Sequence, residues 1–346
     1  MELFKYIQEM GHEQVIFCHD PEAGLKAIIA IHNTNLGPAM GGTRLWPYTT
    51  EEDALKDVLL LSRAMTYKAA CANIPAGGGK GVIIARPENK TDALFQAYGR
   101  FVETLKGGFI TGEDVNISVE DVRQMSRATR YVVGLQQRYG GLGRATAIGV
   151  ACGIKAAVEF YLGRKDFKGL KVAVQGVGNV GKNLCQILHQ QGAELFASDL
   201  SQERLEEVNR LYNATIVDVD EIYSLDVDVF SPCALGGILN SSTIPLLKAS
   251  IAAGAANNQL EDKEIHSRLL AERKILYCPD YVINAGGLIN VYDEMMGVDE
   301  NISQARVRKI ANTLVELFQM AQKYGITTLE ASKRLAEERI LKSKKH

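Results

Sequence analysis

The sequence contains no C-x-x-C pair, no H-E-x-x-H or comparable histidine spacing, no run of about 18 apolar residues and no excess of either charge. Each absence removes a class of function. The six cysteines (Cys18, Cys71, Cys152, Cys185, Cys233, Cys278) stand singly in apolar surroundings, and the six histidines are as scattered, so reduced buried thiols and no metal site are expected. Lys plus Arg (39) nearly balance Asp plus Glu (41), and a formal net charge of -2 offers no field for nucleic acid or an anionic membrane. A small-molecule partner is the default. Residues 1–19 lack the basic start and apolar core of a secretion signal, which points to the cytoplasm.

What is present is a mixture of strand and helix patterns over 346 residues, enough for two domains. Gln14–Cys18 and Ala27–His32 are β-branched runs either side of Asp20-Pro21-Glu22-Ala23-Gly24, which suggests an antiparallel hairpin. Thr50 with Asp53 reads as a helix cap, and Ala54, Val58, Leu61 and Met65 fall on one face of a helix ending near Lys68. A second helix is expected from about Thr91 to Lys106, stopped by Gly107-Gly108, with a glycine run and a short strand, Gly81–Ala85, between the two. Gly140-Gly141-Leu142-Gly143 reads as a hinge or boundary. Beyond it, apolar strands at 171–175, 194–199, 226–230, 250–253 and 275–278 alternate with helices, the pattern of parallel β-α-β units. Helices are expected at about 302–324 and 328–341, the last returning to the first domain.

The strand Val172-Ala173-Val174 runs into Gly176-Val177-Gly178-Asn179-Val180-Gly181, after which a helix pattern begins. This is G-x-G-x-x-G in its strand-turn-helix setting: the first glycine permits a tight turn, Gly178 lets the backbone approach a pyrophosphate, and Gly181 lets helix and strand pack closely. Amides at the helix start favour the anion. Asp199, at the end of the next strand, is placed to accept from ribose hydroxyls and would repel a 2'-phosphate, so the expected cofactor is NAD rather than NADP. The motif by itself says only that a dinucleotide binds.

Lys68, Lys80 after Gly77-Gly78-Gly79, and Asp114 in Thr111-Gly112-Glu113-Asp114 are candidates for the other half of the chemistry. Each has a plain alternative, since most lysines are solvated charges and Thr111 with Asp114 suits a helix cap. Three glycines before a lysine are harder to dismiss, because glycine costs chain entropy and signals close approach of a backbone or ligand.

Taken together, Leu36–Arg44, Met65–Lys68, Gly77–Lys80, Thr111–Asp114, Gln175–Val180, Ser231–Leu235, Ala256–Gln259 and Pro279–Gly287 resemble the leucine, phenylalanine and valine dehydrogenases, a branch of the glutamate dehydrogenase superfamily. The matches run collinearly from about residue 13 to 340. The resemblance implies an α/β chain of two domains. One is a mixed-sheet substrate domain, residues 1–143, joined by the C-terminal segment 326–346; the other is a Rossmann-type doubly wound dinucleotide-binding domain, residues 144–325, with a cleft between them. It implies that Lys68 binds the substrate carboxylate and that Lys80 and Asp114 perform acid and base chemistry. Met40, Gly41, Gly112, Leu288, Val291 and Asn258 would meet the substrate. Thr146, Ala234 and Asn257 would join Gly176, Gly178, Asn179, Val180, Gly181 and Asp199 at the cofactor.

Within that resemblance, Met40 stands where the glutamate enzymes carry a lysine for the distal carboxylate, and Val291 where they use serine; a carboxylate buried against a thioether is costly. Gly112 in place of the leucine enzymes' alanine implies more room, and Leu288 in place of valine takes some back. The implied activity is oxidative deamination of a hydrophobic, aromatic L-amino acid (tryptophan or phenylalanine), and the reverse. The rival readings are a branched-chain enzyme and a non-catalytic NAD-binding protein. Gly141–Ala145 replaces a longer Pro-containing loop. The short tail after Leu341 suggests a homo-oligomer smaller than an octamer, with a dimer favoured.

Overall fold

The structure, a computed structural model, describes residues 3–136 and 140–343. The tail from Lys344 to His346, which the sequence reading joins to the substrate domain, lies outside the described residues. The chain divides into two compact units, Met1–Gln137 with Glu294–Met296 and Ala336–His346, and Arg138–Asp293 with Gly297–Leu335.

In the first unit the elements run α1 (Leu3–Met10), β1 (Gln14–Asp20), β2 (Leu25–Asn33), β3 (Ala39–Met40), β4 (Thr43–Trp46), α2 (Glu51–Ala72), β5 (Gly77–Ile84), α3 (Asp92–Thr104), β6 (Phe109–Ile110) and α4 (Val119–Ser126). The strands form one mixed sheet ordered β1-β2-β5-β3-β6, with β4 also paired to β5. The first hairpin and the β2–β5 pair are antiparallel; β3 and β4 join β5 in parallel. Strand periodicity then sorts the core. Ile28, Ala30 and Val82 pack with Ala54, Leu55, Val58 and Leu59 of α2 on one face, while Ala27, Ile29, Ile31 and Ile83 pack with Leu94, Phe95, Tyr98, Val122 and Met125 on the other.

Thr50 caps α2 by accepting from the Asp53 N–H. Asn73, left-handed at φ 53°, ends it. The last carbonyls of α2 are taken up from the far end of the chain: Arg339 Nη1 donates to Ala70 O and Cys71 O at 3.0 and 2.9 Å.

The second unit contains α5 (Gly141–Leu162), β7 (Lys171–Gln175), α6 (Asn179–Gln190), β8 (Glu194–Ser198), α7 (Gln202–Tyr212), β9 (Thr215–Ile216), β10 (Val229–Pro232), β11 (Ile251–Ala252), α8 (Lys263–Glu272), β12 (Leu276–Tyr277), α9 (Asp280–Ile283), α10 (Gly286–Met295), α11 (Glu300–Arg308), α12 (Ile310–Tyr324) and α13 (Thr328–Ser343), whose last residues belong to the first unit. Its sheet is wholly parallel, ordered β12-β11-β10-β7-β8-β9. The order reverses between β7 and β10, which is where a doubly wound sheet opens a crevice at the carboxyl ends of its strands.

Three sequence expectations need correction and a fourth is refined. The glycine run does not precede the strand but lies in it, because β5 is central and two helical layers press on its backbone. Gly141–Gly143, read as a hinge or boundary, lies within a few residues of the division between the two units and forms the first turn of α5, where a side chain at Gly143 would lie 2.6 Å from that of Asn179. The expected helix at 302–324 is two helices, broken at Lys309. A sixth strand, β9, was not legible, being two residues long. The helix α5 is long and apolar enough to cross a membrane by length and composition, yet it packs against α6, α9, α11 and α12, with Gly149 and Gly153 admitting Ile310 and Ile283.

Candidate active site

In β5, Gly78, Lys80 and Val82 face α2, and Gly79, Gly81 and Ile83 face the α3 layer. Each missing side chain has a tenant. A methyl at Gly78 would lie 2.1 Å from Thr66 Oγ1 and 2.2 Å from Thr66 N, so the α2 backbone rests on the strand two residues before Lys68. A methyl at Gly79 would meet the Phe109 ring at 2.7 Å, and one at Gly81 the Tyr98 hydroxyl at 2.0 Å. Met40 is paired with Gly78 and Ile110 and is buried. Gly41 would strike Gly79 O at 1.8 Å; Gly42 would strike Glu113 O at 2.2 Å and Asp114 Cβ at 3.0 Å. The glycines therefore bring three segments close enough for Asp114 to stand beside Lys80.

They form an ion pair of 3.0 Å, Lys80 Nζ to Asp114 Oδ2, with the lysine only 5% exposed. Burial pushes the Lys80 ammonium down from its ordinary pKa, with the Asp114 charge opposing. Burial alone would raise Asp114, but the charges of Lys80 and Arg44 outweigh it and hold the carboxyl below the usual range. Lys68 is half-buried on the last turns of α2. The sequence reading gave no role to Arg44, Asp57 or Tyr48, although Arg44 closes one of the matching stretches: Arg44 reaches Asp114 Oδ2 and Asp57 Oδ2 at 3.1 Å each, and Tyr48 donates to the same Asp57 oxygen at 2.5 Å.

Gly112 is buried, and its absent methyl points at Val133, 3.1 Å from the carbonyl oxygen and 3.2 Å from Cγ2. The room attributed to Gly112 is therefore taken up by Val133, which is held by the Thr111 carbonyl at 2.8 Å. Nothing in the sequence marks Val133, because the contact joins strand-edge segments about twenty residues apart.

In the second unit, Gly176 (φ +90°) turns the chain after β7, and a side chain there would run into Ala234, just past β10, at 2.6 Å. Gly181 would meet Gly176 O at 2.0 Å, but Gly178 has only Arg204 Nη1 near, at 3.7 Å. The middle glycine thus leaves open space at the start of α6, whose first amides have no side-chain cap. Asn179 and Val180 open that helix. Asp199 ties the turn down: Oδ2 accepts from Val177 N–H at 2.8 Å and Oδ1 from Ser201 N–H at 2.9 Å. The residues around the switch point fit a dinucleotide.

Thr146 faces Gly287 at the start of α10 and donates to Leu142 O at 2.8 Å. Leu288 and Val291 lie half-buried one turn apart on α10. Asn258 is left-handed at φ 50°, and Asn257 Oδ1 accepts from Asn284 Nδ2 at 2.7 Å, a partner not singled out from the sequence.

Residues 12–136 match the model of the Glu/Leu/Phe/Val dehydrogenase dimerisation domain, and residues 139–204 and 194–346 match that of glutamate/leucine/phenylalanine/valine dehydrogenase. The chain is 62% identical over 345 residues to an L-tryptophan dehydrogenase of Nostoc punctiforme, covering 100% of this chain and 98% of that one. It is 48% identical over 344 residues to a leucine dehydrogenase of Geobacillus stearothermophilus, covering 98% and 94%. A crystal structure of L-tryptophan dehydrogenase from Nostoc punctiforme superposes with a TM-score of 0.90 at 61% identity, covering 99% of each chain. Two domain matches in sequence order, high identity over the whole length and one shared fold lead to the same statement: the chain belongs to the glutamate/leucine/phenylalanine/valine dehydrogenase family and is an amino acid dehydrogenase.

Proposed function

We propose that this dehydrogenase oxidises a hydrophobic L-amino acid, with aromatic side chains (tryptophan, phenylalanine) preferred, to the 2-oxo acid, ammonia and NADH, and catalyses the reverse. The observation that carries the chemistry is the buried Lys80–Asp114 pair. Lys68 takes the substrate carboxylate as one ammonium. NAD, held along the Gly176–Gly181 turn, supplies the hydride acceptor. Once the α-carbon has lost hydride and the amine its proton, Lys80, eased toward its neutral form by burial, activates the water that adds to the iminium. Asp114 shuttles protons until ammonia leaves.

Met40, Gly41, Gly112, Asn258, Leu288 and Val291 are the proposed substrate contacts; Thr146, Ala234 and Asn257 complete the cofactor set. NAD is favoured over NADP by the charge of Asp199. Met40 supports a hydrophobic substrate because a distal carboxylate would be buried there without a partner. The 62% identity to a protein named L-tryptophan dehydrogenase supports the aromatic preference, and the 48% identity to a leucine dehydrogenase supports the branched-chain reading. The six free cysteines suit the proposed cytoplasmic setting. A homo-oligomer with dimer favoured is supported by the match of residues 12–136 to a dimerisation domain, and light scattering giving an octamer mass refutes the dimer.

The test is NADH absorbance with tryptophan, phenylalanine, leucine, valine and glutamate, on the wild type, Lys80→Ala and Asp114→Asn. Turnover should favour aromatics and fall about a hundredfold or more in both variants while NADH binding persists. Leucine ahead of aromatics selects the branched-chain reading. NADH binding without turnover of any amino acid selects the non-catalytic NAD-binding protein.

A further inference from the structure

The family resemblance implies a proton-transfer role for Asp114, yet a single carboxylate on a loop end could turn about its bonds. Two cations converge on one of its oxygens. Lys80 Nζ reaches Oδ2 at 3.0 Å and Arg44 Nε reaches the same atom at 3.1 Å. Arg44 is itself held. It stands on β4 in register with Val82, facing α2, and its Nη1 donates to Asp57 Oδ2 at 3.1 Å, an oxygen that also accepts from the Tyr48 hydroxyl.

We infer that Arg44 is a positioning residue for the reaction: clamped by Asp57, it pins one oxygen of Asp114 and leaves the other as the oxygen that exchanges protons. The inference rests on the proposed roles of Lys80 and Asp114. The guanidinium fork suits the task, because Nε and Nη1 on one rigid plane address two carboxylates at once, which an ammonium on a flexible stem does not. Charge argues the same way. Lys80, Asp114, Arg44 and Asp57 alternate in sign and sum to zero, so a nearly buried lysine is retained without an uncompensated charge. The Arg44 charge favours the carboxylate at Asp114 and disfavours the ammonium at Lys80, both in the sense that water activation needs. The far end of this chain of four is the Tyr48 hydroxyl.

The test uses the full-length enzyme with Arg44→Gln, Arg44→Lys and Asp57→Asn, each checked for folding by thermal melting and for NADH binding. Arg44→Gln should lower kcat by about 10- to 100-fold with little change in KM for the amino acid. It should also move the acid limb of the kcat/KM profile alkaline by about one pH unit, since a cation beside Lys80 is lost. Arg44→Lys should return the limb toward its wild-type position without restoring kcat, because charge returns and the two-pronged grip does not. Asp57→Asn leaves Arg44 less neutralised and should move the limb the other way, toward acid.

A wild-type kcat and profile in Arg44→Gln overturns the inference, as does a loss confined to melting temperature or to KM. Should Arg44→Gln fail to fold, Asp57→Asn decides: a limb that stays put or moves alkaline overturns it. If Lys80→Ala keeps wild-type turnover, the underlying assignment has failed, whatever the Arg44 variants do.

Discussion

His12 and His32 lie together under α2, ring centroids 4.9 Å apart, and both are buried. His12 Nε2 contacts Leu59 O at 3.1 Å and Ser62 Oγ at 2.8 Å; its Nδ1 is buried with no partner. His32 Nδ1 contacts Thr66 Oγ1, the atom over Gly78. Burial pushes both rings down to about 4 from 6.5, aided for His32 by the neighbouring ring and for both by Arg63. A ring whose pKa is lowered on folding is neutral in the native state, so the unfolded chain binds the extra proton. Stability is therefore complete above about pH 6.5 and is lost as pH falls toward 4. At about 1.4 kcal/mol per pH unit the shift amounts to about 3 kcal/mol for each ring, a large part of a typical folding free energy. The assay is urea unfolding at fixed protein concentration between pH 7 and 4, comparing wild type with His12→Gln/His32→Gln. The double variant should be weaker near neutrality but should lose much less on acidification. Because carboxylates titrate equally in both proteins, the difference in slope isolates the histidines. Parallel slopes between pH 6.5 and 4 would refute the reasoning.

Three further outcomes follow from the contacts. Gly78→Ala drives a methyl into the Thr66 backbone and should destabilise by about 3 kcal/mol or more, beyond ordinary overpacking, as read by thermal melting; a change under about 1 kcal/mol would mean that α2 does not rest on β5 as described. Gly112→Ala should push Val133 by a few tenths of an ångström and lower the aromatic-to-leucine ratio of kcat/KM, within the roughly 1–3 kcal/mol that a methylene is worth, and Val133→Ala in the same chain should restore the ratio. A ratio that is unchanged or raised in Gly112→Ala rules out this wall as a determinant. Asp199→Ala frees the Val177 and Ser201 amides and removes a charge, so KM for NAD should rise while the preference over NADP narrows; equal Michaelis constants before and after speak against the assignment.

Much was legible in the sequence because its signals are local. The fingerprint turn at Gly176–Gly181 lies between a strand and a helix that periodicity alone reveals, and the β1–β2 hairpin follows from two β-branched runs and the turn between them. Lys80 and Asp114 could be singled out by their neighbours in sequence, the glycines before one and the Thr-Gly-Glu before the other. What those glycines are for is a tertiary matter. Gly78 and Gly79 acquire meaning only when β5 has an α-helical backbone on one face and an aromatic ring on the other, and Gly42 only when the Glu113–Asp114 segment lies against it. The same holds for Arg44 between two carboxylates, for Val133 against Gly112, and for the paired histidines under α2: each contact joins residues far apart in the chain, and no periodicity or spacing records which segments the sheet will bring side by side. Composition and local pattern set the kinds of element and the candidate chemistry; packing between distant segments decided which oxygen of Asp114 is engaged and which lysine is buried.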